Sequence, residues 1–469
     1  MLKLDLISLK QQEELHEKSL YLLEKTGVAF NYKPALELLE KHGATIDGNI
    51  ARIPPGLVTR CLETCPASFT LSARNQSRDV RFGDNDTFIV LPNLGPVFIR
   101  ETDGKKRRGT MDDFVNITKL SHASSVIDVV GSCPIDAHDV DNDTKFLAML
   151  HQSFRHSDKP VMCCTAAPHL VDRQLQLMEI AFEQPSILRE KTVTGTSLSP
   201  LSPLGYSEDA CHAIMAFGGL RQMVIIAGAP MSGISAPVSI SGTTLMINCE
   251  FLAGMVLAQC AGPGAPVVYA TTASAGNLTN ATYVTGIPET TLLNIFAAQM
   301  GAYYNVPTRS VGTATEAKLV DMQSGYEAMQ NLLMTALGGT DAIYETLGTL
   351  DSLMTVSYEK FMIDQELLSR VKTIVGGVNE TSGDLMLEDV EQQGIGGNYL
   401  CTRATFSACR QRWNPTVSTW CSHDKWMENG SRSVEDKAAL LWHQTLENAP
   451  AAILNQQTDR DIAAFITKS

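Results

Sequence analysis

From residue 88 onward, short apolar runs alternate with longer amphipathic segments, regularly enough to be counted. The first run is 88–91, and seven more begin at Ile127, Pro160, Thr192, Met223, Pro266, Thr308 and Ala342. Helical spacing of apolar positions follows each run, at 111–120, 143–154, 170–182, 207–217, 243–260, 289–304, 319–337 and 358–371. Short apolar runs bounded by turn residues read as buried strands, and the periodic segments between them as helices. Eight such units are the count of a (β/α)8 TIM barrel, so an α/β fold with a parallel barrel over residues 87–375 is expected. An open doubly wound sheet alternates in the same way. No GxGxxG follows the first run and no Walker loop occurs, which counts against the nucleotide-binding forms of that fold.

The flanks follow other patterns. Residues 1–70 read as helices, at 13–23, at 35–41 and in a third that Pro54 and Pro55 open. The stretch that follows alternates apolar and polar positions and is broken by Asn-Gln, Gly-Asp-Asn and Asp-Gly, which is hairpin grammar. A helical and β-ribbon cap over residues 1–86 is therefore expected. From Gly376 the sequence turns irregular, holds Trp413, Trp420 and Trp426, and ends in a helical pattern at 434–446 with Trp442. Residues 376–469 are expected as a C-terminal extension that packs on the barrel or on a partner.

Charge and composition narrow the function classes. A formal net charge of -14 argues against nucleic-acid and anionic-membrane partners. No unbroken apolar run is long enough to span a bilayer, and the first residues lack a signal peptide's apolar core, so a cytoplasmic location is expected. The 11 cysteines are scattered without a CxxC pair, which favours free thiols in a reducing compartment over disulfides or a zinc site. A large acidic barrel is expected to form a homo-oligomer, with the tryptophan-bearing tail as a candidate contact.

In a barrel of this kind the loops at the strand ends assemble one pocket. Of the ten histidines only His138 falls there, which makes a Ser/His or Cys/His nucleophile improbable. The acidic cluster Asp136, His138, Asp139 and Asp141 reads as a solvated loop or helix N-terminus, and no metal site is expected. Glu316 and Glu345 close the seventh and eighth runs and are the candidate catalytic carboxylates; capping a helix or pairing with Lys318 is the alternative. The candidate substrate-binding residues are Asn93, Phe98, Arg100, Ser199, Tyr206, Met231, Tyr269, Arg309, Thr313 and Tyr344. The aromatic rings among them, with Tyr283 nearby, suit a quaternary ammonium, which π faces and carboxylates hold without hydrogen bonds. Arg100, Arg309 and Asn93 would suit a carboxylate, although Arg309 lies within a strand and could be internal structure.

Several stretches resemble the trimethylamine methyltransferase superfamily, the corrinoid-dependent demethylases of methylated amines. They are SPLGYSEDA, SISGTTLMINCEFLAG, CAGPGAPVVY, GIPETTLLN and KLVDMQSGYEAM, with RNQSRDVRFG and DGKKRRGTMDDF earlier, in order along nearly the whole chain. The resemblance implies a barrel and transfer of a methyl group from nitrogen to the Co(I) corrinoid of a separate carrier protein, with no tightly bound cofactor on this chain. Trimethylamine enzymes of the family use pyrrolysine, whereas this chain holds standard residues only. It therefore resembles the branch that demethylates quaternary amines such as glycine betaine, proline betaine, carnitine or γ-butyrobetaine. The alternatives are a corrinoid-linked enzyme for an O- or S-methyl donor, and a betaine-binding module without turnover.

Overall fold

The computed structural model describes residues 3–83, 87–377, 385–409 and 412–468. Each of the eight apolar runs contains a parallel strand: β1 Ile89–Val90, β2 Val130–Gly131, β3 Val161–Met162, β4 Gly195–Leu198, β5 Met223–Gly228, β6 Val267–Thr271, β7 Thr308–Val311 and β8 Ala342–Tyr344. The helices that follow are α1 Met111–Ala123, α2 Lys145–His156, α3 Pro168–Ala181, α4 Glu208–Gly219, α5 Ile240–Ala261, α6 Pro288–Tyr303, α7 Met322–Leu337 and α8 Tyr358–Gly376. Six strands form one curled parallel sheet in the order β4-β5-β6-β7-β8-β1, and β2 and β3 pair beside it. Backbone hydrogen bonds from Cys163 N to Gly195 O (2.9 Å) and from Val129 N to Val90 O (3.2 Å) link that pair to β4 and to β1.

The strands read as unbroken apolar runs because both of their faces are covered. One face packs on the helices. The other meets Phe69, Leu71 and Phe82, which lie in a small antiparallel hairpin (Phe69–Leu71 with Val80–Phe82) and join Met223, Ile225, Val268 and Ala342 in one buried cluster. Asp84 and Asn85 of the expected Gly-Asp-Asn turn, and residues 378–384 of the tail, lie outside the described residues. Helix α5 is long and apolar enough to cross a bilayer on length and composition alone, yet it is mostly buried against α4, β5 and the N-terminal helix Leu9–Lys25.

Two parts of the flanks differ from expectation. Between the N-terminal helices lie three short strands, Val28–Phe30, Thr45–Asp47 and Ile50–Arg52, and the first of them pairs in parallel with Gly205–Tyr206 in the loop after β4. Three residues are too few for a period-two signal to be read. The tail is also more helical than its irregular sequence suggests, with Leu387–Gln393, Arg403–Ala408 and His423–Glu428 ahead of Val434–Glu447 and a further helix at Gln456–Thr467.

Candidate functional site

Strand register decides which side chains enter the sheet's concave face. Ala270 of β6, Arg309 of β7 and Ala342 of β8 are register partners, and Ala270 and Ala342 belong to the interior cluster, so Arg309 faces inward with them. Two residues further along, Tyr344 enters the same space and its ring lies 3.6 Å beneath the Arg309 guanidinium. Glu345 follows at the end of β8. At about 3.3 Å per residue it stands roughly 10 Å nearer the strands' C-terminal ends than the Arg309 level. From β4, Ser197 is level with the interior residue Ile225.

These side chains are buried and incompletely satisfied. Apart from the contacts of Arg309 with Tyr344 and of Tyr344 with Ser132, Arg309 Nε and Nη1, Tyr344 Oη, Glu345 Oε2, Ser132 Oγ and Ser197 Oγ have no hydrogen-bond partner. Buried polar groups are nearly always paired, so six atoms short of partners, within β4, β7 and β8 and just past β2 and β8, mark a place built for a polar ligand. Among the described residues no ion pair joins Arg309 to Glu345. Burial pushes the Glu345 carboxyl up to about 8, against the opposing pull of Arg309 and a hydrogen bond from Leu94 N (3.0 Å).

Glu345 is held in a strained backbone conformation. Its φ is 56°, in the left-handed region that a glutamate adopts only when its surroundings impose it. Thr313 N donates to Glu345 O (3.1 Å), and the Thr313 hydroxyl bonds Asp364 Oδ2 (2.8 Å). Asp364 also accepts from Gly348 N (2.8 Å) and is paired with Lys360 (2.8 Å), all in the interior. A buried ion pair on α8 thus fixes the two loops that aim Glu345.

The remaining candidates are used elsewhere. Glu316 accepts from Thr285 N, Thr285 Oγ1 and Gly286 N through one oxygen and from the Ser352 hydroxyl through the other, so it ties together the loops after β6, β7 and β8. Asn93 exchanges two hydrogen bonds with the backbone of Leu347. Arg100 pairs with Glu435 (2.9 Å) and lies 3.9 Å from Glu359, joining the tail to α8. Tyr206 is stacked on Phe30 and donates to Glu250 O (2.6 Å), and Tyr269 packs on Phe251 and bonds Asn248, so both rings face the helix layer. Phe98 lies under Lys106 (4.6 Å), Met231 anchors the loop after β5, and Ser199 is exposed. Asp136 pairs with Lys145, and Asp139 accepts from Met111 N at the start of α1.

Ser132 was not among the candidates; Ser197 stands at a strand end but was not chosen, and Tyr283 was named only as a ring near them. Ser197 could have been found as a polar residue in an inward position, two after Gly195. Ser132 depends on a positive φ of 56° just past β2, which no residue type announces. Tyr283, in the loop after β6, donates to Thr272 O and senses Glu345, Arg309 and Glu316; burial raises its hydroxyl.

A family model for trimethylamine methyltransferase (MTTB) matches residues 1–469. The chain is 32% identical over 467 residues to a glycine betaine methyltransferase of Desulfitobacterium hafniense (strain Y51), covering 99% of this chain and 97% of that one. It is 30% identical to a proline betaine:corrinoid methyltransferase of Eubacterium limosum, over 97% of each. In fold it is similar to the Methanosarcina barkeri monomethylamine methyltransferase (MtmB), with a TM-score of 0.53 over 92% of this chain and 87% of that one at 11% identity. With a family match along its whole length, the chain belongs to the trimethylamine methyltransferase family.

Proposed function

We propose that this chain moves a methyl group from a betaine-type quaternary amine to the Co(I) corrinoid of a partner protein. The observation that carries the reading is a buried guanidinium without a carboxylate partner, Arg309, and an unpartnered carboxyl oxygen, Glu345 Oε2, further out along the same interior. A betaine carries a carboxylate at one end and a quaternary ammonium at the other. Arg309 receives the carboxylate in a bidentate fork, Tyr344 and Tyr283 present ring surface, and Glu345 lies on the ammonium side, toward the strand ends. The N-methyl group then points outward, to where an acceptor can reach it.

The chemistry asks little more of the protein. The electron pair of Co(I) forms the cobalt–carbon bond, the C–N bond breaks, and nitrogen keeps that pair and leaves as a neutral tertiary amine. No proton is transferred. The side chains orient the methyl group and keep water out. The activity is tested by methylation of free cob(I)alamin with glycine betaine, proline betaine, carnitine and γ-butyrobetaine. Methyl transfer from at least one is expected. None from any, with transfer from an O- or S-methyl compound instead, would move the chain to another donor; betaine binding without transfer would make it a binding module.

Glu345 adds a pH signature. A carboxyl held at about 8, above its ordinary value of 4.5, binds its proton more tightly in the folded chain than in the unfolded one. Its contribution to stability is therefore complete below about 4.5 and is lost as the pH rises through about 8. The ionised form is the one that attracts a quaternary ammonium, so affinity for glycine betaine is expected to rise across the same upper limb. In Glu345→Gln both dependences should flatten, as read by calorimetry and thermal unfolding between pH 6 and about 9. An unchanged binding profile in that variant would assign the titration to another group.

The two seam hydrogen bonds support closure of the eight strands into one (β/α)8 barrel over 87–375, with residues 1–86 as the cap and 376–469 as the extension. The described part of the extension leaves Leu385, Ile395, Leu400, Phe406 and Trp420 exposed, which supports a homo-oligomer assembled through it. The free thiols fit a reducing cytoplasm. The corrinoid is supplied by the partner and not held by this chain, and neither nucleic acid nor membrane takes part.

A further inference from the structure

We infer that a cavity between the barrel and its tail, at the opposite end of the sheet from Glu345, binds a small monocarboxylate with an apolar body. The cavity is about 550 Å³ and lies between the last turns of α1 and α2 and the tail helix Val434–Glu447 with the three residues after it. Helices α1 and α2 end where the chain turns back into β2 and β3, so this is the N-terminal end of the strands. No residue assigned to the methyl donor lines it.

Two polar groups on its wall are left open. His156 is 7% exposed, and its Nδ1 has no hydrogen-bond partner. Lys119, half-buried on the same wall, has no ion pair or hydrogen bond for its ammonium among the described residues. A buried ring nitrogen without a partner is uncommon and marks a place for a ligand. The charged groups around the ring are Lys119, Arg155, His151 and Asp459. Asp459 is already engaged, 2.7 Å from His151 Nε2 and 4.0 Å from Arg155 Nε. His122, also on the wall, faces Asp158 at 3.5 Å. Desolvation, with Lys119 and Arg155, pushes the His156 imidazole down to about 4, so near pH 7 it offers a hydrogen bond and not a charge.

The ligand's chemistry follows from these groups. One ammonium and one neutral imidazole supply a single positive charge and a donor, which suits a monoanion, and Asp158 beside His122 disfavours a doubly charged phosphate. A carboxylate has two oxygens, one for the Lys119 ammonium and one for the N–H of His156 in its Nδ1 tautomer. Ala123, Leu441, Ala449 and Pro450 give the rest of the molecule an aliphatic wall. Part of that wall belongs to the barrel and part to the tail, so the bound acid holds the tail helix against α1 and α2. The site stands whatever the methyl donor is.

Sodium hexanoate is the probe. Calorimetric titration should show saturable binding, with a higher midpoint of thermal unfolding. Lys119→Met removes the charge from a half-buried position, and Ala123→Phe fills the cavity from an exposed one, so neither disturbs the core. Each should weaken hexanoate by about tenfold or more, and each should unfold like the parent in its absence. 1-Hexanol, with the same body and no charge, should bind the parent at least about tenfold more weakly than hexanoate. Failure of hexanoate to bind the parent overturns the site, as does binding that neither variant weakens. Equal binding of 1-hexanol overturns the anion assignment, and tighter binding of inorganic phosphate overturns the carboxylate. Hexanoate binding lost in Arg309→Met would place the acid in the betaine site and overturn the proposal as well.

Discussion

Arg309→Met is expected to lower kcat/KM for a betaine by about 30- to 3,000-fold, the equivalent of roughly 2–5 kcal/mol for removing one partner of a buried charged contact. Most of the loss should fall on KM. The carboxylate lies away from the breaking C–N bond, and its contacts hold ground state and transition state alike. The same substitution should leave the free protein at least as stable as the parent. The guanidinium is buried against the Tyr344 ring without a carboxylate partner, and Arg309 is shifted below its ordinary range chiefly by desolvation. A buried cation in that state opposes folding. Lost activity with retained or raised stability separates a ligand-binding arginine from a structural one. A panel that includes choline sharpens the test, since a quaternary amine without a carboxylate gains nothing from Arg309 and should bind parent and variant equally weakly. If Arg309→Met lowered stability and activity together, the guanidinium would belong to the frame of the sheet.

The second large effect concerns the ion pair behind Glu345. Lys360→Met should destabilise the fold by about 3–5 kcal/mol, because it leaves the Asp364 carboxylate in the interior without its cation. Desolvation already raises the Asp364 carboxyl, and Lys360 is what opposes that shift. The double variant Lys360→Met/Asp364→Asn should recover most of the loss. An asparagine oxygen can still accept from Gly348 N and from the Thr313 hydroxyl, the two bonds by which Asp364 positions the loops around Glu345. Denaturant unfolding of the single and double variants measures both quantities, and a double variant as weak as the single one would show that the charge itself is needed. Betaine affinity in the double variant reports separately on the aim of Glu345.

The order of strands and helices was legible because strands buried on both faces appear as continuous apolar runs, spaced by helices with clear periodicity. The same property hid the site. A strand without alternation does not reveal which of its residues turn inward, and only pairing with neighbours settles it. Tyr269 and Arg309 both sit at strand positions with functional promise, yet the register that matches Tyr269 to Thr308 and Ala270 to Arg309 sends the tyrosine to the helices and the arginine to the interior. Glu345 was visible as an acidic residue at a strand end. Its left-handed backbone, its raised carboxyl and its support from Asp364 depend on residues about 20 to 250 positions away and could not be read locally.

The short parallel pairing of Val28–Phe30 with Gly205–Tyr206 bears on how the chain is made. The N-terminal strand leaves the ribosome long before its partner, since Ala29 must wait for Gly205. At about 5–20 residues per second that interval is roughly 10–35 s. Through it, the strand's outer edge has only Ile50–Arg52 on the other side and presents open N–H and C=O groups. The same stretch of synthesis delays α5, which covers the N-terminal helix. Nascent chains stalled between residues 70 and 200 are therefore the species most in need of a chaperone.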